Sequence, residues 1–530
     1  MNSLDFLLAV LPLNAKVILE VGNTVLSEKY LPYNPVCQFF QLNDPDSSSL
    51  PETIVSLGQQ IDCLVFTDLT DIKIKLPLLL PQLKAEGQVL IPFLNSQYWQ
   101  HILKTIEGKP SQTNGFSAMQ IRELVQSFGL IDAEVIKEEL PPDHHQSFQQ
   151  FIQQISPVLQ LLQISPSQFQ YLSASQYLIL RALKQPLKQP KLLIQTCITA
   201  PIGCDRVRVL EPDRFSKTLP NTRINQVRLG QSIPLNLAAA DEYKVFIWQR
   251  ALLLYPQDIQ KQKLLKDRGY LIVAEHDDDP YFWPENADNK FLLFWSSHCI
   301  QTSTPALARH LQQFNNPFIK VFPNHLAYLP PKREYKESYS VNLFFGALNR
   351  QADWEPLMPT INKVLSRNKQ VYVKVIHDRQ FFDALATSRK EFHPFLPYEK
   401  YQEILHTCDI GILPLQDTQF NRMKSDLKFL EHAAHGVVAL ASPTVYAQSI
   451  EEGITGMIYH SVDEFAAKLT ELIQNAKLRH RIADNAYNWV KDHRLLYQHF
   501  TERREWYIEM YQRLPELNES LRARCPQMFD

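Results

Sequence analysis

Glycine is scarce, at 14 residues in a chain of 530. Each glycine at the end of a strand therefore marks a place where the backbone turns tightly or approaches another group closely. Cysteine is sparse and scattered. The seven (Cys37, Cys63, Cys197, Cys204, Cys299, Cys408, Cys525) form no CxxC pair, which argues against a zinc site or a disulfide frame and for reduced intracellular thiols. No run of ~18 apolar residues occurs, so no membrane-spanning helix is expected. The opening MNSLDFLLAVLPLNAKVILEV has an apolar stretch but neither a basic n-region nor a cleavage signature. A cytoplasmic location is expected, with peripheral membrane contact left open. An excess of charge of one sign is also missing. The formal net charge is −2, which offers no electrostatic case for nucleic acid as a partner. What is present is ordinary for a globular protein: 45% hydrophobic and 21% charged residues. The length exceeds one compact core and implies two to four domains.

Residues 1–137 alternate short apolar runs with helical patterns. KVILEV (16–21), DCLVFTD (62–68) and GQVLIPF (87–93) read as buried parallel strands, apolar on both faces. Ser117 and Gln120 form a capping box before a helix whose buried stripe is Ile121, Leu124, Val125 and Phe128. Residues 138–188 are rich in Gln, with Pro142, Pro157 and Pro166 breaking helical pieces; they read as a helical connector, with a mobile linker as the alternative. From 189 the strand rhythm resumes in KLLIQTCI, YKVFIW, GYLIVAE, LLFWSSHCIQTS (292–303) and FIKVFPN. Pro330, Pro331 and the polar run KREYKESYS (332–340) mark a hinge. A second set follows over 336–500: VNLFFGA, QVYVKVIHD, DIGILPL, VVALAS and GMIYH, then a helix begun by Ser461 and Glu464. Residues 501–530 are left as a C-terminal helix and tail. The expected class is α/β: two doubly wound lobes, 189–335 and 336–500, facing each other across a cleft and preceded by a separate α/β domain.

The richest stretch for chemistry is PLQDTQFNRMKSDLKFLEHAAHGVVALAS (414–442). A helix is expected to start near Ser425, with Lys424, Lys428 and Glu431 at i, i+4 and i+7 on one side. A helix N-terminus with free amides and two nearby lysines suits a diphosphate. A carboxylate two turns along suits paired ribose hydroxyls. The plainer alternative is a solvated face on which Lys428 and Glu431 simply pair.

These residues resemble the donor-site signature of the retaining GT-B glycosyltransferases called glycosyltransferase family 4, or glycosyl transferases group 1. There a Pro-containing strand end leads to a helix of the form ExxxxxxxE, then AxxxG and an apolar strand. Glu431 matches the second, ribose-binding glutamate; Ala434, Gly436 and VVALAS match the family's AxxxG and apolar strand. The first glutamate falls at Met423, and the usual Gly-Phe pair falls at Lys424 and Ser425. The form FNRMKSDLKFLEHAAHG is similar to a divergent FNxxKSxLKxLE branch found in polysaccharide and O-antigen clusters. FFGALNRQADW (344–354) resembles the turn where such enzymes place a basic residue on the diphosphate.

The resemblance covers about residues 340–510. It implies Lys424, Lys428 and Arg350 on the leaving diphosphate, and Glu431, Ser425, Asn421, Gly346 and Asn349 around the donor. It implies a nucleoside-diphosphate sugar as donor, no bound metal, and a glycan or protein acceptor. Retention is the family's usual outcome, though the missing first glutamate leaves the sugar and its anomeric outcome open. No residue is expected to act as a nucleophile.

The first lobe resembles its acceptor-side counterpart more loosely. PIGCDRVRVLEP (201–212) places Gly203, Asp205 and Arg206 after a strand, and AEHDDDPYFWP (274–284) places His276, Asp277 and Asp278 after another. Ligands of open α/β sheets gather at such carboxyl ends. The acid cluster admits a metal, an acceptor contact or a capped turn. His298 and His325 are further cleft candidates, although an isolated histidine is usually structural.

Residues 1–137 resemble a class I S-adenosylmethionine-dependent methyltransferase in the order KVILEVGN, DCLVFTD, LLLPQLKAEGQVLIPFLN, GFSAMQIRELVQSFGL. The family's glycine-rich loop reads here Glu20-Val21-Gly22-Asn23-Thr24-Val25, with a single glycine. A degenerate domain without bound S-adenosylmethionine is expected, serving assembly or acceptor docking. A non-catalytic scaffold in a glycan-assembly complex and a bifunctional methyltransferase–glycosyltransferase are the alternatives. The nucleotide base, the acceptor and the oligomeric state stay open.

Overall fold

The computed structural model describes residues 3–22, 24–42, 52–109, 115–200, 203–335 and 340–530. Asn23, Pro201, Ile202 and part of the hinge run (336–339) lie outside the described residues. The chain divides into two compact units, Met1–Gln189 with Lys217–Asn221, and Pro190–Ser216 with Thr222–Asp530.

The first unit holds one six-stranded sheet: β1 (Val17–Val21), β2 (Gln38–Leu42), β3 (Ile61–Phe66), β4 (Leu83–Leu94), β5 (Ile131–Lys137) and β6 (Tyr177–Leu183). Their order is β2-β1-β3-β4-β6-β5. The strands expected at 16–21, 62–68 and 87–93 lie in β1, β3 and β4 because continuous apolar runs suit a sheet covered on both faces. The capping box is reciprocal: Ser117 Oγ accepts from Gln120 N at 3.2 Å, and Gln120 Oε1 accepts from Ser117 N at 2.7 Å.

The connector expected at 138–188 needs correction. Helices His145–Leu161 and Pro166–Ser173 are present, but β6 follows and pairs antiparallel with both β4 and β5. A charged residue conceals this strand. Arg181 is 1% exposed; it ion-pairs with Glu134 and donates to the carbonyls of Val10 and Thr218, both at 3.3 Å.

The second unit holds two sheets. In the first lobe, β7 (Lys191–Ile198), β8 (Thr222–Arg228), β9 (Glu242–Gln249), β10 (Leu271–Glu275), β11 (Cys299–Thr302) and β12 (Ile319–Val321) run parallel in the order β12-β11-β10-β9-β7-β8. In the second, β13 (Val341–Gly346), β14 (Val371–Ile376), β15 (Lys390–His393), β16 (Ile410–Leu413), β17 (Val438–Ala441) and β18 (Met457–Ile458) run parallel in the order β15-β14-β13-β16-β17-β18. The α/β class and the pair of doubly wound lobes are therefore as the sequence implies. The strand expected at 292–303 is shorter. Leu292–Trp295 is helical because Ser296 and Ser297 hydroxyls bond back to the Leu292 and Leu293 carbonyls.

The chain crosses between these lobes twice, and the two crossings touch. Leu326 N donates to the Arg494 carbonyl at 3.0 Å, and Leu496 N to the Leu326 carbonyl at 2.8 Å. After the second crossing, helices Phe500–Gln512 and Leu514–Arg524 return to the first lobe. Trp506, Tyr507, Met510 and Leu517 join one of its core clusters, and Leu521 and Met528 join the other. The segment 501–530 is therefore no separate tail, because its apolar side chains complete the first lobe's packing.

One buried acid in this unit links stability to pH. Asp213 accepts from Gln226 Nε2 at 2.8 Å. Burial pushes its carboxyl from 3.8 up to about 7, against the opposing pull of Gln226 and Arg503. The folded form then holds a proton that the unfolded form has released, so stability falls as pH rises from about 4 to 7 and levels off above. Asp213→Asn is expected to remove that fall and raise stability at pH 8, by about 2–4 kcal/mol. Thermal melts of both proteins between pH 4.5 and 8.5 check this.

Candidate functional site

The carboxyl ends of the two sheets of the second unit line one cavity of about 300 Å³. Such ends gather ligands because loops leave the sheet there and helix N-termini point toward the gap. From the first lobe come Gly203, Cys204, Arg250, Asp277 and Asp278; from the second come Gly346, Arg350, Lys424, Ser425 and Lys428. Four cationic side chains and two carboxylates thus share its wall.

The stretch singled out at 414–442 folds differently in one respect. A short helix, Gln419–Arg422, is capped by Thr418, and the following helix is Leu427–Ala434. Lys424 therefore precedes the helix and does not share its face with Lys428 and Glu431. Tertiary packing fixes the difference. Met423 is 3% exposed and lies in the first lobe's core cluster with Cys197, Trp248 and Leu307. Its carbonyl accepts from Thr304 Oγ1 at 3.0 Å. Phe420 stacks on Phe282, with ring centroids 5.1 Å apart. At the position of the family's first glutamate, the chain thus carries an apolar bolt between lobes. Met423→Glu is expected to bury an unpaired carboxylate and destabilise the second unit by roughly 3–5 kcal/mol. A lowered melting temperature without gain of transfer activity is the result to look for.

The second-lobe cations are each held. Arg350 Nη1 donates to Asn421 Oδ1 at 2.7 Å and to Asp353 Oδ2 at 3.2 Å. Asn421 Nδ2 donates in turn to Asp353 Oδ1 at 2.8 Å. Asn421 and Asn349 are not among the cavity's lining residues; Asn421 fixes Arg350, and Asn349 takes a left-handed turn (φ 55°) after β13. Gly346 does line the cavity, and a Cβ there would meet Phe344 Cζ at 2.6 Å. Lys428 Nζ lies 2.9 Å from Tyr401 Oη and 3.3 Å from Glu431 Oε2.

Glu431 is 3% exposed and sits behind Lys428 instead of on the wall. Its two oxygens accept from Tyr398 Oη at 3.0 Å and Tyr401 Oη at 3.1 Å. Burial and this carboxylate hold both phenols well above their ordinary range. Ser425 accepts from Asn324 Nδ2 at 2.9 Å, and the same Asn324 accepts from Arg208 Nη1 at 2.8 Å.

On the first lobe, Asp277 pairs with Arg250 Nε at 2.5 Å, and Asp278 lies 3.6 Å from Arg250 Nη2. Burial works to raise the Asp277 carboxyl, but Arg250 and Arg208 hold it below its ordinary value overall. Asp278 also ion-pairs with Lys424. Burial pulls the Lys424 ammonium below its ordinary value despite that partner.

Three first-lobe candidates are elsewhere. Asp205 caps the helical turn Arg206–Leu210 through Arg206 N at 2.9 Å. Arg206 reaches the second lobe away from the cavity wall, bonding Glu399 Oε1 at 2.6 Å and lying 4.5 Å over the Tyr398 ring. His276 turns into the core between Trp283 and Phe294, with neither ring nitrogen hydrogen-bonded. Burial pushes its pKa down to about 4, which keeps it neutral. His298 is likewise structural: its Nδ1 accepts from Ile272 N at 2.9 Å. His325 stacks on His499 at the lobe crossing, with centroids 4.0 Å apart.

Sequence reasoning misses Arg250, Asn324, Tyr398, Tyr401 and Tyr446. Only Arg250 has a usable signal, a cation directly after a strand of an open α/β sheet. Among the described residues, no group of three or more His, Cys, Asp or Glu is placed to hold a metal ion. No helix among them is long and apolar enough to cross a membrane.

Residues 360–505 match a family model described as glycosyl transferase-like. The matched segment takes in most of the second lobe, including Lys424, Lys428 and Glu431, and the crossing back to the first. No curated protein matches the chain at a significant level.

Solved structures similar to it include TarM of S. aureus with UDP bound, at 10% identity and TM-score 0.40, covering 51% of this chain and 55% of that one. Anabaena HepE in complex with UDP and glucose is similar at 13% identity and TM-score 0.43, covering 61% and 100%. The pneumococcal O-GlcNAc transferase GtfA with UDP and GlcNAc is similar at 14% identity and TM-score 0.38, covering 51% and 57%. The chain spans about half the length of TarM. At these identities and scores the likeness carries no residue-level assignment.

Proposed function

We propose that the second unit is a glycosyltransferase that moves a sugar from a nucleoside-diphosphate donor to a glycan or protein acceptor, in surface polysaccharide or glycoprotein synthesis. The observation that carries this reading is the cavity where the start of helix Leu427–Ala434 meets Arg350, Lys424 and Lys428 inside the glycosyl transferase-like segment. Departure of a nucleoside diphosphate builds negative charge on its phosphate oxygens. Cations and helix amides already in place stabilise that charge without reorganising. The acceptor hydroxyl approaches from the first lobe, and two lobes holding one partner each supply orientation. Family resemblance supports retention of the anomeric configuration.

The donor roles follow the geometry. Arg350, Lys424 and Lys428 serve the diphosphate directly, with Ser425 beside them. Asn421 positions Arg350, and Glu431 positions Lys428 through the tyrosine pair. For Glu431 to hold the ribose itself, Tyr398 or Tyr401 has to yield a hydrogen bond. Gly346 leaves room for the donor at the end of β13. Asp277 and Asp278 face the cavity from the acceptor lobe, while His276 and Asp205 support their loops.

The first unit is proposed to do no methyl transfer. Glu20, the last carboxylate before the loop after β1, is fully buried and accepts from Thr24 Oγ1 at 2.6 Å, Thr67 Oγ1 at 2.7 Å and Gln41 Nε2 at 2.8 Å. Gly22 takes φ 138° against Thr67. Those neighbours occupy the carboxylate that a cofactor would need.

The test incubates the purified chain with UDP-, GDP- and CMP-sugars labelled in the sugar, together with cell-surface glycan and glycoprotein fractions. Labelled acceptor and free nucleotide in equal amounts support the proposal. No transfer and no nucleotide release with any donor contradict it and favour a scaffold.

A further inference from the structure

Lys424 differs from the other cations of the cavity in what holds it. Arg350 is tied to Asp353 and Asn421, and Lys428 to Glu431 and Tyr401, all within the second lobe. Arg250 keeps Asp277 within the first. Lys424 instead reaches across the lobes to Asp278. Both side chains line the cavity and are largely withdrawn from solvent, with 18% and 13% exposure. The lysine backbone has little freedom to retreat. Its neighbour Met423 is buried in the first lobe, and its own ammonium lies 4.0 Å over the ring of Phe420, which is stacked on Phe282.

We infer that Asp278 occupies, on Lys424, the place taken by the donor's diphosphate, and that donor binding proceeds by exchange of this one carboxylate for phosphate oxygens. This rests on the transferase reading above. A single carboxylate brings one negative charge to a wall of four cations. A diphosphate brings more charge and more acceptor oxygens to the same positions, so the exchange favours it. An uncharged nucleoside brings nothing to trade for a desolvated ion pair and leaves Asp278 in place. Asp278 is thus a specificity-determining residue. It screens donors by phosphate charge, and on release it stays beside Arg250 on the acceptor lobe.

The test is calorimetric titration of the full chain and of Asp278→Asn with UDP, GDP and ADP, each beside its nucleoside. At least one diphosphate is expected to bind the unaltered chain, and to bind Asp278→Asn at least fivefold more tightly, with nucleoside affinity unchanged. Asp278→Glu keeps the competing charge and is expected to return the affinity to its original value. It also guards against a misfolded Asn variant, as do melting curves of all three proteins. Equal or weaker diphosphate binding by a folded Asp278→Asn overturns the inference while leaving the transferase reading intact. No diphosphate binding by any of the three proteins overturns both.

Discussion

Arg208→Ala is expected to destabilise the second unit by about 3–5 kcal/mol, the largest stability effect expected of a single side-chain truncation. Arg208 and Glu275 are both fully buried, and the guanidinium meets the carboxylate twice, at 2.8 and 3.3 Å. Arg208 Nη1 also donates to the Phe322 carbonyl at 2.6 Å and to Asn324 Oδ1 at 2.8 Å. The Arg208 carbonyl accepts from Arg503 Nη1 at 2.7 Å. Alanine leaves Glu275 charged and unpaired in a dry site, which costs far more than the pair contributes. Replacing both partners, as in Arg208→Met with Glu275→Leu, is expected to restore most of the loss, because no charge is left stranded. Urea titrations of the three variants check the pattern. A double variant as unstable as Arg208→Ala would mean that the contacts to Phe322 and Asn324 dominate.

The largest effects on activity are expected at Lys428 and Arg350. Lys428→Ala and Arg350→Ala are each expected to lower transfer at least 100-fold, about 2.7 kcal/mol of transition-state stabilisation. Both side chains line the cavity and lie within the charge field of the leaving diphosphate. Lys428 stands at the first turn of helix Leu427–Ala434, where its charge adds to the helix dipole. The two differ in the remainder. Lys428→Ala leaves Glu431 bonded to Tyr398 and Tyr401, so the fold is expected to persist unchanged. Arg350→Ala frees Asn421 and Asp353, which still bond each other at 2.8 Å, and a small loss of stability is expected beside the loss of rate. Steady-state rates with matched melting curves separate the two effects.

Much of the fold is legible in the sequence because parallel strands covered on both faces read as apolar runs. Strands β1, β3, β7, β9, β10, β13, β14, β16 and β17 all stand on such runs. Strand β6 is hidden because Arg181 and the proline- and glutamine-rich helices before it imitate a connector. The pair Arg181–Glu134 exists only once the sheet is assembled.

Legibility of the site follows the same division. Arg350, Lys428, Ser425, Asp277, Asp278 and Gly346 follow strand ends or a helix start, and local pattern is enough to place them. Lys424 is harder to place. Spacing alone extends the helix back through FNRMKS, and only the burial of Met423 in the other lobe breaks it. His276 misleads for a similar reason, since its neighbours Trp283 and Phe294 close over it from elements separate in sequence. Asn324, which joins the buried Arg208–Glu275 pair to Ser425, has no sequence signature at all.

The central claim is that a nucleoside diphosphate is gripped between the lobes of the second unit. Melting curves of the unaltered chain with UDP-, GDP- and CMP-sugars and with S-adenosylmethionine test it most directly. A ligand that binds the folded form alone stabilises it by about 2.7 kcal/mol at a hundredfold excess over Kd. One nucleoside-diphosphate sugar is expected to raise the melting temperature, Lys428→Ala is expected to lose most of that rise, and S-adenosylmethionine is expected to leave the curve unmoved. A curve unmoved by every nucleotide sugar would contradict the account.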